Sequence, residues 1–100
     1  MAADRRVVRV SSAFFDQLDE QLLAARGPGG EPSAADFVVM ELPSIVERFA
    51  LEFDRLPETI DGVASARMVI APGLLVRAFA VHGVLIADDV VELIGIVIEH

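Results

Sequence analysis

The sequence predicts a single α+β domain, with two N-terminal helices packed on a small, mainly antiparallel sheet. Three observations support this class: an opening β-branched run, apolar residues at helical spacing up to residue 56, and strand-like patterning after residue 65. The predicted order is β-α-α-β-β-β within one domain over residues 1–100. Hydrophobic residues make up 54% of the chain, which is enough for one core with a surplus for a subunit interface.

The first strand is predicted at residues 5–10, where the sequence reads RRVVRV. Ser11 and Ser12 follow and can cap a helix, because a serine hydroxyl accepts hydrogen bonds from free N–H groups in the first turn. The helix is predicted over residues 13–25. Its apolar stripe contains Phe14, Leu18 and Leu22.

Residues 26–32, RGPGGEP, form the clearest break in the chain, because three Gly and two Pro exclude regular structure. Ser33 and Asp36 then match the capping pattern that precedes an apolar run. A second helix is predicted over residues 34–56, with a kink or a restart at Pro43 because proline removes a backbone donor. Its apolar stripe contains Leu42, Ile45, Phe49, Phe53 and Leu56.

The next two strands are predicted at residues 67–71 and 74–87. Pro72 and Gly73 between them are a turn pair, since proline fixes φ and glycine permits positive φ. Gly83 predicts a bend or a bulge inside the longer strand.

Asp88 and Asp89 predict a two-residue turn before the last strand, at residues 90–99. That strand is apolar on both faces except at Glu92, which indicates a central position in the sheet. The surplus of apolar surface predicts a dimer or an obligate partner.

Composition narrows the chemistry. The formal charge is −8, from eight Arg against sixteen carboxylates, whereas nucleic-acid binders usually have a basic face. No Cys, Lys or Tyr is present, so disulfides, Cys-ligated zinc and Schiff-base chemistry are excluded. His82 and His100 do not make a metal site, and no cofactor is predicted; His82 is interpreted as a hydrogen-bonded core or edge residue of a strand. No secretory leader is expected, because no basic region followed by an apolar run opens the chain. No membrane span is expected, because Arg77 interrupts the apolar residues 68–87, so a cytoplasmic protein is expected.

The C-terminal half carries a recognisable pattern: an arginine, a glycine turn, a second arginine near an aromatic residue, an acidic turn and a final apolar strand. The residues are Arg67, Gly73, Arg77, Phe79, Asp88-Asp89 and the run 91–94. With the predicted element order, this pattern resembles the RelE/ParE toxin superfamily of type II toxin–antitoxin pairs. The chain differs from that family in its acidity, in lacking Lys and Tyr, and in having Gly95 where a third arginine could stand.

The resemblance implies a toxin bound by a cognate antitoxin or another small protein. It would act as an mRNA-cleaving ribonuclease or a gyrase inhibitor, or keep the fold with the activity lost. The alternative from another class is a non-enzymatic homodimeric interaction module that uses an apolar sheet or helix face. The charge favours the module, and the topology favours the toxin. Binding of nucleic acid is left open.

The candidate catalytic residues are Arg77, Arg67 and His100. A two-residue turn at 88–89 places Arg77 opposite His100, where an arginine could hold a phosphate and a histidine could move a proton. The alternative is that Arg77 pairs with a surface carboxylate and His100 lies at a frayed terminus. Arg67 faces Ala78 if the turn at Pro72 has two residues, and Phe79 on the same face as Arg77 if it has three.

Overall fold

The computed structural model describes residues 5–23 and 25–99, and its architecture confirms the α+β class. The described part contains three α-helices, a 3₁₀ turn and four strands. In chain order they are β1 (Val7–Val10), α1 (Ser12–Gln21), α2 (Ala34–Met40), α3 (Leu42–Glu52), the 3₁₀ turn (Phe53–Arg55), β2 (Ala66–Pro72), β3 (Ala78–Ala87) and β4 (Val90–Glu99).

The sheet is mixed and has the strand order β1-β4-β3-β2. β1 runs parallel to β4, while β4 with β3 and β3 with β2 are antiparallel. The last strand in the chain therefore lies inside the sheet, as its two-sided apolar sequence predicts. Its bounds agree with the predicted residues 90–99.

The core lies between the helices and the inner face of the sheet, which is the face covered by the helices. It is built from the predicted helical stripes together with alternate strand residues. Its fully buried large side chains are Phe14, Leu18, Phe37, Ile45, Phe49, Phe53, Val69, Val81, Val91, Leu93 and Ile96. Gly83 lies at a close approach in this core, because a Cβ there would be 2.6 Å from the Phe49 ring.

The first helix is shorter than predicted: α1 ends at Gln21, not at residue 25. Leu22 is already extended, with φ −123° and ψ 157°. Leu23 forms an isolated parallel bridge with Ser33, and its carbonyl accepts a 2.9 Å hydrogen bond from the N–H of Ala34. This non-local pairing replaces the last helical turn, which periodicity alone could not show.

The predicted second helix is two helices that meet at Glu41. Glu41 has φ −108° and ψ −41°, and α3 restarts at Leu42 with Pro43 in its first turn. Proline is tolerated there because the first N–H groups of a helix have no intrahelical partner. The predicted restart at Pro43 is confirmed.

The predicted turn at Pro72 and Gly73 is wrong, and β3 begins at Ala78 rather than at residue 74. Pro72 pairs with Ala78, so residues 73–77 form a five-residue loop. A buried carboxylate explains the difference: Glu41 Oε2 accepts hydrogen bonds from the N–H groups of Leu74 at 2.7 Å and Leu75 at 2.8 Å. These backbone donors point towards the helices instead of into a ladder.

One prediction about the β3–β4 hairpin is confirmed in part and another in full. The register shifts between His82 and Gly83, where a bulge was expected, but the extra residue is Ile94 of β4 rather than a residue of β3. Ala87 pairs with Val90 around a two-residue turn, as predicted. A second shift between Leu85 and Ala87 restores the original alignment. The far end of the hairpin therefore keeps the register that the turn sets, with Ala78 opposite Glu99.

The start of α2 is fixed by the predicted capping box. The Asp36 N–H donates to Ser33 Oγ at 3.1 Å, and the Ser33 N–H donates to Asp36 Oδ2 at 3.0 Å. Arg26 adds a two-pronged contact to the same carboxylate, at 3.2 and 3.0 Å. The Arg26 hydrogen bonds, and next the Ser33 N–H, lower the pKa of Asp36 to about 2 from an ordinary 3.8.

We expect this carboxylate to stabilise the fold in a defined pH window. Because the pKa of Asp36 is lower in the folded state, its contribution is present above about pH 4 and is lost as the pH falls towards 2. Asp36→Asn should therefore cost stability at pH 5 and little at pH 2, measured by urea denaturation at both. Asp16→Asn, on the exposed side of α1, is the control, and an equal pH-dependent loss in both variants would contradict the prediction.

Candidate functional site

Arg67, a predicted catalytic residue, is half-buried and makes structural contacts. Its side chain is 12% exposed and lies on the inner side of β2. The guanidinium donates to the carbonyls of Ala64 at 2.8 Å, Asp54 at 3.0 Å and Leu56 at 2.8 Å. Its Cζ lies 5.5 Å from the centre of the Phe53 ring, a cation–π distance. Arg67 therefore ties β2 to the segment after α3.

Arg77, by contrast, is exposed. Its side chain is 73% accessible, and Nη1 lies 3.8 Å from Glu99 Oε2, beyond hydrogen-bond distance. It lies at the rim of a cavity of about 400 Å³ between the end of α1 and the loop 73–77. The walls of this cavity are mainly apolar and include Leu22, Leu75 and Val76.

The two arginines do not form one site. Arg67 pairs with Gly83, so both of the predicted alternatives, Ala78 and Phe79, are wrong. Five residues of β2 separate Arg67 from the end that adjoins Arg77, a distance of about 17 Å along the strand. The reason is the five-residue loop, which shifts the whole register. His100, the third predicted catalytic residue, lies outside the described residues.

The described residues contain no group of three or more His, Asp or Glu side chains that could hold a metal ion. None of the helices in residues 5–23 and 25–99 is long and apolar enough to cross a membrane. The apolar residues 68–87 instead form β2, the loop and β3.

The feature that distinguishes the surface is the outer face of the sheet, the side turned away from the helices. Its central rows are Ile70–Ala80–Val97, Met68–His82 and Ala66–Val84–Glu92, with Arg9 beyond Glu92 on β1. The exposed Ile94 of β4 lies at the register shift opposite His82, next to the buried Gly95. Ile70 is 62% exposed and Val97 is 59% exposed. No helix or loop among the described residues covers this apolar surface, which is unusual because monomers rarely leave large apolar patches open.

The outer face is also nearly neutral in a strongly acidic protein. Its charged strand residues are Arg9, Glu92 and Glu99. Glu92 Oε2 lies 3.8 Å from the Arg9 guanidinium, and Glu99 Oε2 lies 3.8 Å from that of Arg77. Each carboxylate therefore has a cation beside it, and the formal charge of −8 is carried elsewhere on the surface.

His82 occupies the middle of this face. Its cross-strand neighbours are Met68 and Gly95, and the residues two positions away on β3 are Ala80 and Val84. Nδ1 is buried and has no hydrogen-bond partner among the described residues. The prediction that His82 is a hydrogen-bonded strand residue is therefore wrong for this nitrogen, because every neighbouring side chain is apolar or absent.

One open edge of the sheet is capped by two glutamines that sequence reasoning did not identify. β1 ends opposite Leu93, which leaves the second half of β4 without a neighbouring strand. Gln17 accepts from the Ile96 N–H at 2.9 Å, and its amide nitrogen lies 3.4 Å from the Ile94 carbonyl. Gln21 accepts from the Ile98 N–H at 2.6 Å and donates to the Ile96 carbonyl at 2.7 Å.

The side-chain amides of Gln17 and Gln21 continue the hydrogen-bond ladder of β4, because their spacing along α1 matches the spacing of alternate residues along the strand. Residues four apart on a helix advance about 6 Å, and residues two apart on a strand advance about 6.6 Å. The signal in the sequence is a Q-x-x-x-Q spacing on a helix that follows a strand shorter than its partner. That signal is too common to be identified without the sheet order.

The opposite edge of the sheet is partly covered as well. The Met68 N–H donates to the Pro57 carbonyl at 3.0 Å, and the Thr59 N–H donates to the Ala66 carbonyl at 2.9 Å. Pro72 closes the strand with a residue that has no N–H to offer. The second half of β4 and the first half of β2 are thus protected against pairing with another strand.

Comparisons with known protein families, with curated proteins and with solved structures find no match.

Proposed function

We propose that this protein is a non-enzymatic homodimeric interaction module, in which the outer face of the sheet packs against the same face of a second copy. The observation that carries the proposal is the exposed apolar row through Ile70 and Val97. Burial of apolar surface is the main favourable term in association. Exposed apolar side chains on an uncovered sheet face therefore indicate a surface that another molecule covers.

The charge distribution favours a second copy as the occupant. Two chains of formal charge −8 repel each other, so they associate best through surfaces that carry little charge. The outer face meets that condition, because Glu92 lies beside Arg9 and Glu99 lies beside Arg77. In a two-fold dimer, the Glu92–Arg9 and Glu99–Arg77 pairs each present one positive and one negative charge to the second copy.

The size of the face is close to what a stable dimer needs. Four strands spaced about 4.8 Å apart, two of ten residues, one of seven and one of four, give an area of about 500 Å². Stable interfaces begin at about 600 Å² per partner, so side chains at the rim must contribute as well. Face-to-face packing is favoured over pairing at the second half of β4 or at β2, because Gln17, Gln21 and Pro57 occupy backbone groups there.

The proposal predicts a dimer at micromolar concentration near pH 7.5, measured by sedimentation equilibrium. Amide hydrogen exchange should slow on β3 and β2 as concentration rises, and not on α2. A monomer at high micromolar concentration would contradict the proposal, as would a dimer whose protection maps to the helices.

A RelE/ParE-like toxin is the second proposal. The α+β class and the exposed guanidinium of Arg77 favour it, because that arginine can reach a phosphate that Arg67 cannot. The partner would then be a cognate antitoxin, and the target would be messenger RNA or gyrase. The acidity of the chain opposes approach to a polyanion, which is why this proposal comes second.

If the toxin proposal is right, induced expression should arrest growth and Arg77→Ala should abolish the arrest without unfolding the protein. Arg77→Lys should rescue poorly, since lysine cannot form a bidentate contact with phosphate. Arg48→Ala is the control, because Arg48 is also exposed and lies 3.7 Å from a carboxylate, Glu52. Unchanged growth and message half-lives with the unsubstituted chain would remove the toxin proposal.

A further inference from the structure

Among the described residues, His82 is the one titratable ring on the outer face, and it lies at the centre of the surface proposed as the dimer interface. Its row-mates Met68 and Gly95 leave it among apolar atoms, and its Nδ1 is already buried without a partner in the single chain. In a face-to-face dimer the rest of the ring would also lose contact with water. A neutral imidazole tolerates that environment far better than an imidazolium does.

The charged groups on the same face as His82 lie beside charges of opposite sign. On β4 the nearest is Glu92, one ladder step away and paired with Arg9 of β1. Glu99 lies at the far end of the face beside Arg77. β2 contributes only Ala66, Met68, Ile70 and Pro72 to this face, and none of these is charged. The helices pack on the other side of the sheet.

We infer that protonation of His82 dissociates the dimer, so that the protein is a pH-sensitive module that separates on mild acidification. This inference rests on the proposed homodimer. Each copy buries its imidazole in the neutral form, so protonation of either of the two His82 rings opposes dimer formation. Between pH 7.5 and 5.5 the dissociation constant should therefore rise.

The loss of dimer affinity on acidification is opposite to the change that the overall charge of this protein would produce. The formal charge is −8 and the isoelectric point is about 4.5, so acidification towards pH 5.5 makes the net charge less negative. Weaker repulsion between copies would tighten a dimer that contained no titrating group in its interface. A loss of association on acidification thus separates the His82 effect from overall charge.

The test measures the dissociation constant at pH 7.5 and 5.5 by sedimentation equilibrium, with far-UV circular dichroism to check the fold. His82→Gln keeps a polar side chain of similar size that does not titrate, so its dimer should be no weaker at pH 5.5 than at pH 7.5. His82→Lys places a fixed cation in the face and should be monomeric at both values. The dimer of the unsubstituted protein should be weaker at pH 5.5 than at pH 7.5.

The outcomes separate the two proposals. A dimer of equal affinity at both pH values, or a His82→Gln variant with the same acid-induced loss as the original, would overturn the inference and leave the homodimer standing. A loss of helical signal that accompanies dissociation would also overturn it, because unfolding would then be the cause. A monomer at pH 7.5 would overturn the homodimer and this inference with it.

Discussion

Val97→Glu should convert the dimer into a monomer, with a dissociation constant at least about 100-fold higher. Val97 is 59% exposed and lies in the row with Ala80 and Ile70, near the middle of the outer face. In a two-fold dimer the substitution buries two carboxylates in an apolar interface, with no cation in the row to pair with them. Each uncompensated charge costs several kcal/mol, and the apolar contact is lost as well.

The matched control is Val39→Glu on α2. Val39 is 70% exposed, so the same substitution is made at a similarly exposed valine on the helical side. Neither change should alter the fold, because both side chains point to solvent in the single chain. If Val97→Glu still forms a dimer of unchanged affinity, or Val39→Glu dissociates as readily, the outer face is not the interface.

Local patterns in the sequence were sufficient for the elements whose structure depends on neighbours in the chain. The stripe that contains Phe14 and Leu18 is fully buried, the Ser33 capping box forms, and α3 restarts at Pro43. These features follow from helical periodicity and from the hydrogen-bonding needs of helix ends. The two-residue turn at 88–89 is equally local, because it joins consecutive strands.

The sequence misled where a distant group decides the backbone. Glu41 reads as one of many solvated carboxylates, yet it is buried and holds the N–H groups of Leu74 and Leu75. That contact opens the predicted turn into a loop, and every β2 pairing shifts with it. The candidate site changed for the same reason, because a register error of a few residues moves a side chain to another partner or face.

Arg67→Ala should destabilise the protein by about 3 kcal/mol, whereas Arg77→Ala should change stability by less than about 0.5 kcal/mol. The Arg67 guanidinium bonds three carbonyls, including that of Leu56, and packs on the ring of Phe53. Hydrogen bonds from a charged donor are worth about 1.5–3 kcal/mol each, and removal of the donor leaves the part-buried carbonyl of Leu56 without this partner. Arg77 has no such contacts, since its side chain is 73% exposed.

A domain of this size has a total stability of about 5–15 kcal/mol, so the loss at Arg67 should appear as a large fall in the urea midpoint with an unchanged slope. Arg67→Lys should recover only part of it, because one ammonium group cannot reach the carbonyls bonded by both Nε and Nη1. The comparison also tests the chemistry predicted from the sequence. An Arg67→Ala variant that unfolds at the same urea concentration as the original would show that these contacts contribute little, and the guanidinium would again be a candidate for binding a ligand.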